Sequence, residues 1–142
     1  MRHTNGPRPR SAIAQLRRAR PRLWLCEMTA PDASAYPLEI TVEEAHRLLT
    51  ETPSRVHLVD VREPFEHELA RIAGAELIPM RQIPENMSEL PTDKHLLIHC
   101  HHGGRSLRVT QYLRAQGFPA VSNIEGGIQA WSQRIDPTVP TY

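Results

Sequence analysis

Lys94-His95-Leu96-Leu97-Ile98-His99-Cys100-His101-His102-Gly103-Gly104-Arg105-Ser106 is the stretch on which the reading of this chain turns. Its first half is an apolar run of strand length. Its last residue opens a helix predicted over Ser106 to Gln116, with Val109 and Leu113 on one face and Gly117 at the C′ position. Between strand and helix the chain turns tightly, and Gly103 and Gly104 permit positive φ there without steric cost. Successive N–H groups in such a turn converge into an anion-binding nest, and the helix N-terminus adds its positive dipole end. A sulfur at the centre, that of Cys100, is stabilised as thiolate and becomes a reactive nucleophile. Arg105 adds a fixed positive charge beside the sulfur or beside an anionic substrate. His101 and His102 add charge according to their protonation.

Two blander readings compete. Free cysteines are often inert core residues, but here two glycines and an arginine sit at fixed offsets between strand and helix. A metal site at His99 to His102 fails on geometry, because side chains alternate sides along a strand and four contiguous residues do not converge on one ion. No metal is therefore expected; no organic cofactor is expected either. A CxxC redox pair is absent, since the other cysteine is the distant Cys26.

Outward from this loop, strands and helices alternate. Leu38-Glu39-Ile40 reads as a first strand. Thr41 with Glu44 has capping-box spacing, and Val42, Ala45 and Leu49 mark a buried helix face that Pro53 ends. Val56 to Val61 is a second strand, Ala75 to Ile78 a weaker third, and Ile83 to Leu90 a short helical patch. Val121 to Ile124 and Ile128 to Arg134 read as a last strand and helix. The alternation implies an α/β fold with a mostly parallel sheet, whose ligands bind at the carboxyl ends of the strands. Two such ends stand out: Asp60-Val61-Arg62-Glu63 and the Cys100 loop.

The chain of 142 residues is one domain's worth, with 39% apolar and 23% charged residues and a net charge of +1. No apolar run is long enough to span a membrane. Two cysteines exclude a disulfide-stapled scaffold. The near-neutral sum conceals a basic arm: residues 1–22 hold seven arginines and no acid, while the rest balances at −6. Residues 1–36 are thus read as a basic, disordered extension, 37–136 as the domain and 137–142 as a C-terminal tail. The arm has two other readings. One is an upstream extension with Met28 as natural start, in keeping with sixteen arginines to one lysine. The other is a targeting or nucleic-acid-binding arm.

These residues together resemble the rhodanese family of sulfurtransferases over about residues 37–136. The resemblance rests on Asp60-Val61-Arg62-Glu63, His67, Gly74-Ala75, Ile78-Pro79, the loop Cys100 to Ser106, and Glu125-Gly126-Gly127-Ile128-Gln129-Ala130-Trp131. It implies a five-stranded parallel sheet flanked by helices, and a cysteine that accepts sulfane sulfur as a persulfide and passes it on. Four residues separate Cys100 from Arg105. Related phosphatases and arsenate reductases carry one more, so the tighter loop resembles the sulfur-transferring members.

The expected roles follow. Cys100 is the nucleophile, and N–H groups of residues 101–106 hold the transferred sulfur. Arg105 orients an anionic donor or pairs with a carboxylate. His101 and His102 face the site mouth, Ser106 caps the helix, Trp131 packs in the core, and Asp60 and Arg62 support the loop from below. Three functions stay open: an enzyme using a small sulfane donor and a thiophilic acceptor, a carrier delivering persulfide to a sulfur-trafficking protein, and a non-catalytic binding domain. No nucleic-acid or membrane partner is expected. The default setting is a cytoplasmic monomer or weak dimer.

Overall fold

A computed structural model describes residues 35–142. The readings of the arm, of Cys26 and of Met28 lie outside the described residues. Five strands form one sheet in the order β1-β5-β4-β2-β3, and every paired neighbour is parallel. The strands are β1 (Glu39–Ile40), β2 (Val56–Asp60), β3 (Glu76–Leu77), β4 (His95–His99) and β5 (Val121–Ile124). The helices are α1 (Val42–Glu51), α2 (Pro64–Leu69), α3 (Ile83–Asn86), α4 (Gly104–Ala115) and α5 (Gly127–Arg134).

Strand alternation sorts the core into two layers. Val56, Leu58, Leu97 and Ile124 face Val42 and Ala45 of α1 and Ile128 and Trp131 of α5. Val59, Leu96, Ile98 and Val121 face Ile83 of α3 and Val109 and Leu113 of α4. Helices therefore cover both faces, which is why the central strands read as continuous apolar runs. Trp131 is core, as expected.

The capping reading of Thr41 holds: its Oγ1 accepts the Glu44 N–H at 3.1 Å. Three elements differ from the sequence expectations. The patch over Ile83 to Leu90 is a single α-turn, Ile83–Asn86, continued by a 3₁₀ turn at Met87–Glu89. Helix α2 was not anticipated; Pro64 opens it and Glu66 reaches back to the Glu63 N–H at 2.9 Å. Helix α4 starts two residues earlier than Ser106, because Gly103 at φ 110° makes the turn and serves as N-cap. Ser106 is consequently no cap. Residues 137–142, read as a tail, pack back on the domain: Val139 is buried and its carbonyl accepts the Ser132 hydroxyl.

Among the described residues no helix is long and apolar enough to cross a membrane.

Candidate active site

The carboxyl ends of β2, β4 and β5 meet at the loop after β4. Cys100 lies at its base, 1% exposed. Its Sγ accepts the Gly103 N–H at 3.1 Å and the Ser106 hydroxyl at 3.2 Å. Ser106 stands in the first turn of α4, so the residue expected to cap the helix is turned onto the sulfur. The amides of Gly104, Arg105 and Ser106 also fall in that first turn, where N–H groups have no intrahelical acceptor. Donors gathered around one sulfur suit an anion more than a neutral thiol.

The loop backbone is held from the other side by α5. Ile128 N–H donates to the Cys100 carbonyl at 2.9 Å and Gln129 N–H to the His101 carbonyl at 3.1 Å. The Asn123 amide reaches the Gly103 carbonyl at 3.3 Å. In planar trans peptides the C=O and the following N–H point opposite ways. Anchoring these carbonyls therefore turns the N–H groups of His101, His102 and Gly104 away from α5 and Asn123. The approach is close because residue 127 is glycine: a Cβ there would meet the Cys100 and His101 carbonyls.

Arg105 is not loose. Its Nη1 and Nη2 donate to the two carboxylate oxygens of Glu66 at 2.8 and 2.9 Å. This hydrogen-bonded pair, against a smaller opposing effect of burial, holds the Glu66 carboxyl at about 2. Arginine carries five N–H donors, so Arg105, about one third exposed, retains donors for an anion beside the pair. Sequence reasoning missed Glu66. The signal was present in Glu63-Pro64-Phe65-Glu66, whose spacing is that of a helix start.

Asp60 and Arg62 are fully buried. Arg62 donates through Nε and Nη2 to Asp60 at 2.9 and 2.7 Å. Burial alone would raise the Asp60 carboxyl; the Arg62 hydrogen bonds, the nearby His99 and the His67 hydrogen bond together outweigh it and hold it at about 2. Arg62 also donates to the carbonyls of Glu66 and Ala70, at 3.3 and 2.6 Å, at the C-terminal end of α2. The pair thus anchors α2, α2 carries Glu66, and Glu66 holds Arg105. Neither side chain of the pair hydrogen-bonds the loop itself; one link to it runs through that helix.

His101 and His102 stack at 3.9 Å between centroids, and His101 stacks again on Tyr142 at 4.2 Å. Burial, then the neighbouring His102, keep the His101 imidazole below its ordinary value. His99, wholly buried at the end of β4, is pushed down to about 4 by burial. Among the described residues no group of three or more His, Cys, Asp or Glu converges on a metal position. A cleft of ≈ 450 Å³ lies away from the Cys100 loop, lined by His46, Trp131 and Val139 among others.

A family model described as "Rhodanese-like domain" matches residues 41–134. A sulfurtransferase of Allochromatium vinosum is 41% identical over 101 residues, covering 71% of this chain and 94% of its own length. A chloroplast protein of Arabidopsis thaliana with rhodanese-like and PpiC domains is 42% identical over 110 residues; 73% of this chain matches, but it spans only 37% of that longer protein. Among solved structures, a rhodanese-like domain protein of Staphylococcus aureus superposes with a TM-score of 0.64 at 35% identity, covering 75% of this chain and 99% of the other. A human single-domain sulfurtransferase gives 0.62 at 26% identity, over 69% and 97%.

Proposed function

The chain belongs to the rhodanese-like family, and from that premise we propose that it transfers sulfane sulfur through a persulfide on Cys100. The donor is thiosulfate or a related persulfide, and the acceptor is cyanide, a thiol or a protein. The observation that carries this reading is the pair of donors on Cys100 Sγ, the Gly103 amide and the Ser106 hydroxyl, at the N-terminus of α4.

The reaction has two displacements. In the first, the Cys100 thiolate attacks the outer sulfur of thiosulfate. A bond forms between Sγ and that sulfur, the bond between the two thiosulfate sulfurs breaks, and sulfite leaves with the electron pair. Arg105, aimed by Glu66, attracts the anionic donor. The terminal sulfur of the persulfide then lies among the free amides at the start of α4. In the second displacement the acceptor attacks that terminal sulfur, the S–S bond breaks, and Cys100 returns as thiolate. The chain's own residues suffice for both steps.

Burial of Cys100 favours a slim donor or an extended acceptor segment over a bulky one. The acceptor is therefore a small thiophile or the exposed thiol of a protein partner. The setting is a cytoplasm that keeps thiols reduced, with the protein a monomer or weak dimer. The test is thiocyanate formation from thiosulfate and cyanide. It is expected with the parent protein and lost in Cys100→Ser. Cys100-dependent hydrolysis of an aryl phosphate without sulfur transfer would overturn the assignment.

A further inference from the structure

Tyr142 belongs to none of the motifs discussed so far, yet its side chain sits at the junction of both supports of the active loop. Its hydroxyl accepts from Arg62 Nη1 at 2.8 Å and donates to Glu66 Oε1 at 3.0 Å. The direction of that relay is fixed because a guanidinium only donates and a carboxylate only accepts, and both partners are saturated. Arg62 has five N–H donors; four go to Asp60, Ala70 and Glu66, and the fifth to Tyr142. The Glu66 carboxylate offers about four acceptor positions. It takes two N–H groups from Arg105, one from the Glu63 backbone and the Tyr142 hydroxyl. No slack remains on either side. The Tyr142 ring, 12° from parallel, stacks on His101, the residue next to Cys100. With His102 the rings form a column with His101 in the middle, because two near-parallel rings at such distances cannot share one face.

We propose that Tyr142 is a positioning residue of the sulfur-transfer site: its hydroxyl fixes the carboxylate that aims Arg105, and its ring seats His101 in the loop. The inference rests on the reading of Cys100 and Arg105 given above and extends it to a residue 42 positions downstream of the cysteine. Tyr142→Phe keeps the ring and removes the relay. Arg62 then loses its fifth acceptor and Glu66 Oε1 one donor, so the carboxylate gains freedom to rotate with Arg105. Tyr142→Ala also releases His101.

The test is charge selectivity at Cys100, in a Cys26→Ser background that leaves one thiol. Alkylation rates with anionic iodoacetate and neutral iodoacetamide are measured for the parent, Tyr142→Phe, Tyr142→Ala, Arg105→Gln and the double variant Tyr142→Phe/Arg105→Gln. Urea midpoints are taken for all five. The iodoacetate-to-iodoacetamide ratio is expected to fall about three- to tenfold in Tyr142→Phe, the fold-change of one net hydrogen bond. Arg105→Gln lowers it further, and adding Tyr142→Phe to Arg105→Gln changes nothing more. The KM for thiosulfate rises in parallel while kcat stays near parent. A ratio unchanged in Tyr142→Phe, or Tyr142 and Arg105 effects that simply add in both ratio and midpoint, overturns the inference. A lowered midpoint with an unchanged ratio identifies a merely structural tyrosine and overturns it too. A parent that takes up no sulfur refutes the sulfurtransferase reading instead, and the alkylation ratio and midpoints still judge Tyr142.

Discussion

Replacing Gly127 by alanine separates backbone strain from steric collision at the active loop. Gly127 has φ 58°, and an added Cβ would stand 2.5 Å from the His101 carbonyl oxygen, 2.7 Å from its carbon, and closer still to the Cys100 oxygen. All three are backbone atoms, so no side chain can swing aside. Ordinary contact needs close to an ångström more, and either the loop or the start of α5 must move. Either movement opens the hydrogen bonds from Ile128 and Gln129 to the Cys100 and His101 carbonyls. The left-handed backbone costs an alanine about 1–2 kcal/mol. Two carbonyls stranded out of water add about 1–3 kcal/mol each. The total, about 3–8 kcal/mol, rivals the whole stability of a domain of this size. Gly74→Ala is the control: its φ is 84° and nothing lies within 4 Å of the added Cβ. It carries the backbone cost alone, about 1–2 kcal/mol. Urea unfolding of the two variants measures the difference directly. Gly127→Ala is expected to lose at least about 2 kcal/mol more than Gly74→Ala, with Cys100 alkylation altered in whatever remains folded. Equal losses in the two would refute the claim that α5 abuts the loop through this glycine.

Three further outcomes are expected. Ser106→Ala removes one of the two donors on Cys100 Sγ and should slow persulfide formation about ten- to a hundredfold, the worth of one hydrogen bond to a charged group, in stopped-time mass measurements; an unchanged rate would take the hydroxyl out of the chemistry. Asp60→Asn leaves Arg62 buried without its counter-charge and should cost about 3–5 kcal/mol in denaturant midpoint analysis at pH 7. Because the native Asp60 pKa is depressed to about 2, its stabilisation is present above the ordinary carboxylate range and lost as pH falls toward 2, so the penalty of Asp60→Asn should shrink along that descent. Finally, His95 and His99 are both held down to about 4, chiefly by burial. Between the ordinary imidazole value and 4 the unfolded chain binds protons that the native one refuses, so stability is full above that range and falls with pH, by about 1.4 kcal/mol per pH unit for each histidine. Equal urea midpoints at pH 7 and pH 5 would contradict this.

The sheet was legible because its central strands are apolar on both sides. Val56 to Asp60 and His95 to His99 are buried between two helical layers, so neither alternation nor amphipathicity had to be resolved to find them. The glycine turn after β4 was legible for a local reason, since the residue types that permit it are adjacent in sequence. What escaped was non-local. Ser106 looked like a helix cap because a serine beside a helix start usually is one. Gly103, by adopting φ 110°, shifted the start and turned the hydroxyl onto the sulfur. Glu66 is separated from Arg105 by 39 residues and Tyr142 from Arg62 by 80, and neither distance leaves a trace in local spacing. The Gly126-Gly127 pair was visible as a motif, but its purpose depends on where α5 meets the loop, which only the packed sheet determines.

The most direct test of the central claim is intact mass after incubation with thiosulfate, on the parent protein and on Cys100→Ser. The expected result is a gain of one sulfur atom in the parent, reversed by cyanide and absent in Cys100→Ser. No gain from thiosulfate or from any other sulfane donor, or a gain that survives the loss of Cys100, would contradict it.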